Sequence, residues 1–246
     1  MFKRLIFICL ACLALGAFTG CRVNPSGALD AGSDLLKAAT LTSEEVKELG
    51  RQTTAALDAE NKVAGSSNAY TKRLNKIVAG LHNEAGLQLN YKVYLTSDVN
   101  AFAVPDGSIR VYSGLMDLMT DDEVYFVIGH EIGHVADGDR ADKMRMAYAA
   151  SGARKAAGAA GGVASALSRS QLGAIGESLI NAQFSQSQES DADKYGLRLM
   201  QKNGKDQSAA VSALRKLASP GRSSSMFDSH PDSNKRASTI EGMIKK

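Results

Sequence analysis

Cysteine is nearly absent from this 246-residue chain, and its three copies, Cys9, Cys12 and Cys21, all lie in the first 21 positions. Past them no thiol remains to form a disulfide, so a folded domain must rely on core packing and on any metal it binds. Charge of one sign is also scarce, with 29 Lys and Arg against 26 Asp and Glu. Setting aside Lys3 and Arg4 with the first 20 residues leaves 27 against 26. No concentrated basic face follows from that balance, and nucleic acid is not expected as a partner. The apolar run Leu5 to Phe18 is too short for a comfortable membrane-spanning helix. A composition of 44% hydrophobic and 22% charged residues excludes a disordered chain. The length suits one catalytic domain with a real core, or at most two small ones.

What is present begins with a targeting signal. A basic start, the short apolar run and the small residues before Cys21, in Phe18-Thr19-Gly20-Cys21, describe a secretory signal peptide. The cysteine directly after them resembles a bacterial lipoprotein signal, cut before Cys21, whose thiol and new amine are acylated. Phe18 stands where Leu is usual. An ordinary signal peptide with an incidental cysteine is the alternative. The expected division is a signal peptide over 1–20, a flexible Gly/Ser/Asn/Ala tether over 21–40 and the folded domain over 41–246.

Thr42-Ser43-Glu44-Glu45 has the form of a capping box and predicts a helix to about Lys62. A second helix is expected over Ser67 to Asn83, with Tyr70, Leu74, Ile77, Val78 and Leu81 on one face and His82 a surface or capping residue at its end. Leu89 to Leu95 alternates like a strand. Asn100 to Val104 and Ile109 to Tyr112 read as a hairpin turning at Pro105-Asp106-Gly107-Ser108. Thr120, with Asp121, Asp122 and Glu123 behind it, opens a helix striped by Val124, Ile128, Ile132 and Val135 that stops at Asp137-Gly138. Residues 144–168, rich in Ala, Gly and Ser, read as a loose helix, a mobile flap or a plain connector, and Arg154, Lys155 and the glycines argue against a membrane span. One long helix is expected from Leu172 to about Gln201, another over Asp206 to Leu217, a loop over Ser219 to Ser229 and a last helix from about Asp232. There is no internal repeat.

The chemistry sits in His130-Glu131-Ile132-Gly133-His134. Positions i and i+4 of a helix project from one face, so both imidazoles can reach one ion. Glu131 lies obliquely across the same site, placed to take a proton from a water activated there. A catalytic zinc wants three protein ligands and an open position. Downstream, Glu189 and Asp193 are again i and i+4, so Glu189 is the candidate third ligand. Asp193 can accept from the far N–H of a ligand histidine, His130 being the best placed. A solvated acidic helix face is the alternative, and suits Asp191 better than either.

The paired motifs, His-Glu-x-x-His and Glu-x-x-x-Asp, resemble the gluzincin metallopeptidases related to the HtpX heat-shock protease and the CAAX prenyl protease, in particular an outer-membrane lipoprotein branch of them. The matching stretches are Asn100 to Ala103, Val111 to Met116, Gly129 to His134, Phe184 to Asp193 and Met226 to Pro231, spread over most of the chain from about residue 40. The resemblance implies Zn2+ held as above, one per chain, Glu131 as general base and Asp193 as orienting residue or proton donor. It also implies that the strand of Asn100, Ala101, Phe102 and Ala103 pairs with substrate backbone. His230, before Pro231 in a matching stretch, is expected near the zinc, as a gate over the open position or a transition-state donor, a plain surface histidine being the third possibility. HtpX-like members carry membrane-spanning helices, so their membrane substrates are not carried over.

The fold expected is α+β: a mostly helical zincin-like domain with a small β-sheet over the zinc-binding helix. The expected function is a lipid-anchored zinc metalloendopeptidase of the outer membrane, its domain facing the periplasm, cleaving unfolded or misassembled cell-envelope proteins. Its partners would be extended polypeptides and, through the N-terminal lipid, the membrane. Two rivals stand beside it: a chaperone that binds clients along the edge strand and rarely cuts them, and a structural lipoprotein whose zinc only stabilises.

Overall fold

The computed structural model describes residues 41–151, 167–219 and 225–245. The expected signal peptide, the tether, Cys21, Arg154 and Lys155 lie outside the described residues. Helix α1, Ser43–Glu60, begins where the capping box places it: the Thr42 side chain accepts from Glu45 N–H, and Glu45 accepts from Thr42 N–H at 2.8 Å. Helix α2 is shorter than expected, Ala69–Ile77, because Asn68 caps it and the chain turns at Gly80, whose φ of +88° is left-handed. Val78 and Leu81 still reach the core, from the turn rather than the helix. His82 is exposed.

Two short strands not foreseen, β1 (Asn83–Glu84) and β2 (Leu87–Gln88), pair about a tight turn with positive φ at Ala85 and Gly86. The main sheet has β3 (Asn90–Tyr94), β4 (Ala101–Ala103) and β5 (Ser108–Tyr112) in the order β3-β5-β4. The β4–β5 pair is the expected antiparallel hairpin, and β3 runs parallel to β5. Strand β4 is therefore an edge strand, and it lies against the motif helix.

After α3 (Ser113–Leu118), the motif helix α4 (Asp121–Ala136) starts on a second full capping box, Thr120 with Glu123. Val124, Ile128 and Ile132 are at most 1% exposed, each worth about 1.5–3 kcal/mol of burial. The helix ends at Gly138, φ +83°, and that residue also begins α5, Asp139–Ala150. Residues 139–143 are thus helical, and 144–150 continue the same helix; 152–166 lie outside the described residues.

The single long helix expected over 172–201 is two helices, α6 (Arg169–Ile180) and α7 (Gln186–Lys202), separated by the strap Asn181 to Ser185. The reason is local. Ser185 and Gln188 form a complete capping box, so the backbone restarts a helix there rather than continuing one. Helix α8 (Ser208–Leu217) follows, then a turn of helix α9 (Ser225–Ser229) within the stretch expected to be loop, and α10 (Ser233–Ile244) close to where it was expected.

The larger core joins α2, one face of the sheet, α4, α7, α8 and α10, and a second cluster joins α1, the other face and α5 and α6. Helices α4 and α7 pack closest because small residues face each other. A Cβ on Gly129 would lie 2.9 Å from Gly196 Cα, and one on Gly133 would lie 2.9 Å from Ala192 Cα. That approach sets the distance between the two motifs. Among the described residues no helix is long and apolar enough to cross a membrane.

Candidate metal centre and active site

Helix α4 presents His130 and His134 on one face, and α7, held close by the glycine contacts, presents Glu189 and Asp193 opposite them. His130, His134, Glu189 and His230 each contribute a ligand atom to one buried cluster, and these atoms lie within 4.8 Å of one another. Glu189 Oε1 is 3.3 Å from His134 Nε2 and 2.8 Å from His230 Nδ1, and Glu189 Oε2 is 3.7 Å from His130 Nε2. His230 Nδ1 is 3.2 Å from His130 Nε2.

The far sides of the two motif rings are held by carboxylates. His130 Nδ1 meets Asp193 Oδ1 at 3.0 Å, and His134 Nδ1 meets Asp139 Oδ2 at 2.8 Å. Burial pushes the Asp193 carboxyl up, but hydrogen bonds from Arg236 and His130 outweigh it and hold its pKa below the usual range. Burial of Asp139 is likewise outweighed, by hydrogen bonds from His134 and Gln188. An ionised carboxylate only accepts, so both Nδ1 atoms donate, and in neutral rings both Nε2 lone pairs enter the same space. Such an arrangement lacks a proton between its acceptors and suits a cation.

The charge balance agrees. Among the described residues, Glu131, Asp139, Glu189 and Asp193 supply four buried carboxylates around the histidines, and Arg140 and Arg236 supply two guanidiniums. Four against two leaves two negative charges, which a divalent ion would neutralise. Isolated buried charges cost several kcal/mol each, so the residues fit a divalent metal.

Glu131 is fully buried. Its Oε2 accepts from Arg140 Nη2 at 2.5 Å and from Ala103 N–H at 3.3 Å, while Oε1 makes no hydrogen bond among the described residues and faces His230 Nε2 at 3.4 Å. Burial raises its pKa, but Arg140 and the three histidines outweigh this and hold it to about 2. His230 is pushed down to about 4, burial prevailing over its hydrogen bond to Glu189 and the nearby charge of Glu131, so near neutrality it is uncharged.

The structure thus brings together every metal and catalytic candidate of the sequence, and β4 (Ala101–Ala103), which Asn100 directly precedes, lies against their helix with Ala103 N–H on Glu131; Cys21 lies outside the described residues. Four contributors were not anticipated. Asp139 follows the motif by five residues, off the i+4 spacing. Arg140 comes from α5, and Arg236 from α10, where it grips Asp193 with Nε to Oδ2 at 2.8 Å and Nη2 to Oδ1 at 2.6 Å and also reaches Glu189 Oε2. Phe184 of the strap stacks on His134 with centroids 3.9 Å apart and on His230 at 5.4 Å. The capping pattern at Ser185 was the one legible signal for the strap.

Residues 68–244 match the family model described as Peptidase family M48. The chain is 47% identical over 233 residues to "Metalloprotease YcaL" of Escherichia coli (strain K12), covering 92% of each chain. It is 46% identical over 226 residues to "Metalloprotease LoiP" of the same organism, covering 90% of each. A shorter likeness, 41% over 61 residues, is to "Protease HtpX" of Haemophilus ducreyi (strain 35000HP / ATCC 700724), covering 23% of this chain and 21% of that protein. A match of this extent, on a chain whose buried histidines and carboxylates fit a divalent ion, makes the protein a zinc metalloprotease belonging to peptidase family M48.

Proposed function

We propose that the chain binds one zinc ion through His130, His134 and Glu189 and hydrolyses extended segments of unfolded or misassembled envelope proteins, with Glu131 as general base. The observation that carries this reading is the convergence of His130 Nε2, His134 Nε2 and Glu189 in one buried cluster, with Glu131 Oε1 left free at its edge. Zinc held there supplies Lewis acidity, polarising the scissile carbonyl and acidifying the attacking water. Glu131 Oε1 takes the water proton and delivers it to the leaving amine. Asp193 and Asp139 keep the His130 and His134 rings in the tautomer that turns Nε2 inward.

Edge strand β4 is the substrate platform of this reading. The Ala101 and Ala103 N–H groups are not used by β5; they bond to Asn100 Oδ1 and Glu131 Oε2, partners that a substrate strand can replace. Asn100 Nδ2 has no hydrogen-bond partner among the described residues, which suits a donor to substrate. Asn100, Ala101, Phe102 and Ala103 are each 1% exposed, so the site opens before substrate enters. His230 fills the position beside the two motif histidines under Phe184, which supports its role as the gate. Main-chain pairing reads no sequence, so unfolded polypeptide is the substrate class.

The division into a signal over 1–20, a tether over 21–40 and a peptidase domain over 41–246 belongs to the same proposal. So do lipidation at Cys21 and an outer-membrane location facing the periplasm, argued from the residues around that cysteine and from Arg22 in place of Asp after it. A structural zinc site is the second reading, because four protein groups converge here as they do in closed sites. Casein digestion by the purified protein, with and without chelator, separates the two when run beside Glu131→Gln. The expected result is chelator-sensitive cleavage by the wild type and a zinc-loaded, inactive variant. Wild-type cleavage by a fully loaded Glu131→Gln protein would falsify the base assignment.

A further inference from the structure

We propose that Arg140 is a positioning residue for the hydrolytic step: its guanidinium holds Oε2 of Glu131 and so turns Oε1 toward the metal cluster. The proposal rests on the reading of Glu131 as the base. The terminal torsion of a glutamate is broad and roughly two-fold, so nothing within Glu131 decides which oxygen faces the reacting water. The surroundings decide it. Oε2 is occupied by Arg140 Nη2 at 2.5 Å and Ala103 N–H at 3.3 Å, and Oε1 is left without a hydrogen bond, 3.4 Å from His230 Nε2.

Of these two anchors only one survives catalysis. Ala103 belongs to the free edge of β4, and a substrate strand pairing there takes its N–H away from Glu131. Arg140 has no such second duty. It is 1% exposed, its Nη1 donates to Leu179 O at 2.9 Å, and its guanidinium lies 4.9 Å from the centroid of Phe184. The planar fork therefore reaches the base with one arm and the end of α6 with the other, which fixes its direction as a lysine ammonium could not. A charge-assisted bond in a buried site is strong enough to hold the carboxylate plane through the reaction.

The test compares Arg140→Met, nearly the same shape without charge or donor, with Arg140→Lys, on the zinc-loaded full-length protein. Steady-state cleavage of an unfolded casein substrate is measured together with zinc content and melting temperature. Arg140→Met is expected to keep its zinc and hold KM within about twofold while kcat falls about 10–100-fold, the usual loss when an orienting partner is removed. Arg140→Lys is expected to recover part of that loss. A folded, zinc-loaded Arg140→Met protein with wild-type or raised kcat overturns the proposal. Where Arg140→Met fails to fold, Arg140→Gln takes its place. Loss of folding in both, with full kcat in Arg140→Lys, assigns Arg140 to stability instead and also overturns it. Glu131→Gln is run in parallel: cleavage retained there defeats the base assignment itself, whereas an inactive Glu131→Gln beside an unimpaired Arg140→Met defeats only the role of Arg140.

Discussion

His134 Nε2 lies 3.1 Å from His130 Nε2, although each ring has already given its other nitrogen to an aspartate. Two inward-facing lone pairs at that distance repel unless a cation stands between them. The contact is where the helical spacing of the motif, the carboxylates behind it and the metal requirement meet.

Asp139→Asn tests the less obvious of the two aspartates. The amide can still meet the His134 ring but no longer favours a donating Nδ1, so the inward lone pair is lost from part of the population. Zinc affinity is expected to fall about 10–100-fold, matching the loss in Asp193→Ala. Competition titration against a chromophoric chelator reads both. Unchanged affinity in Asp139→Asn would show that Asp139 does not orient His134 for the metal.

Gly133→Ala tests the spacing of the helices. Alanine is favoured over glycine in a helix by about 1 kcal/mol, yet its methyl would lie 2.9 Å from Ala192 Cα and from Tyr195 Cβ. Overpacking costs about 1–3 kcal/mol and moves α7, carrying Glu189, away from the histidines. Reduced melting temperature together with weaker zinc binding is expected. A variant melting higher than the parent with zinc affinity intact would sink this account of the packing.

His230→Ala separates gate from donor. The ring is neutral near pH 7, its pKa held near 4 by burial, and so is able to occupy a metal's open position. As a gate, its loss leaves cleavage faster or less restrained, at equal zinc content. A large fall in kcat with KM unchanged is the donor's signature and would retire the gate.

Asp58→Asn addresses stability away from the site. Burial raises the Asp58 carboxyl, but Arg110, Lys92 and Tyr94 outweigh it and leave the pKa below 3.8. A depressed carboxylate contributes stability that is fully present above its unfolded pKa and lost as pH falls through the folded one. Wild type should therefore exceed Asp58→Asn by about 1–2 kcal/mol at pH 7, less than for a fully buried pair because Asp58 and Lys92 keep contact with solvent while Arg110 is buried. The gap should close as pH drops below 3.8. Urea melts across that range check it, and a gap that widens in acid contradicts the assignment.

The candidate ligands and most of the elements that carry them were legible in the residues alone. His130 with His134, and Glu189 with Asp193, are pairs whose meaning lies in the 3.6-residue period, which is local and readable. The capping boxes at Thr42 and Thr120 and the turn at Gly107 are local in the same sense, and the structure places helices and hairpin there. The break before Ser185 was written in the same capping language, yet the apolar pattern on either side reads as one continuous helix, and only the folded chain shows the strap. Tertiary structure alone decided the surroundings of the site. Arg140 meets Glu131 nine residues away, across the bend at Gly138, and Arg236 meets Asp193 43 residues further along the chain. Neither contact has a period. Each depends on where a turn sends the next helix and on how closely Gly129 and Gly133 let α7 approach α4, quantities set by packing across the whole domain.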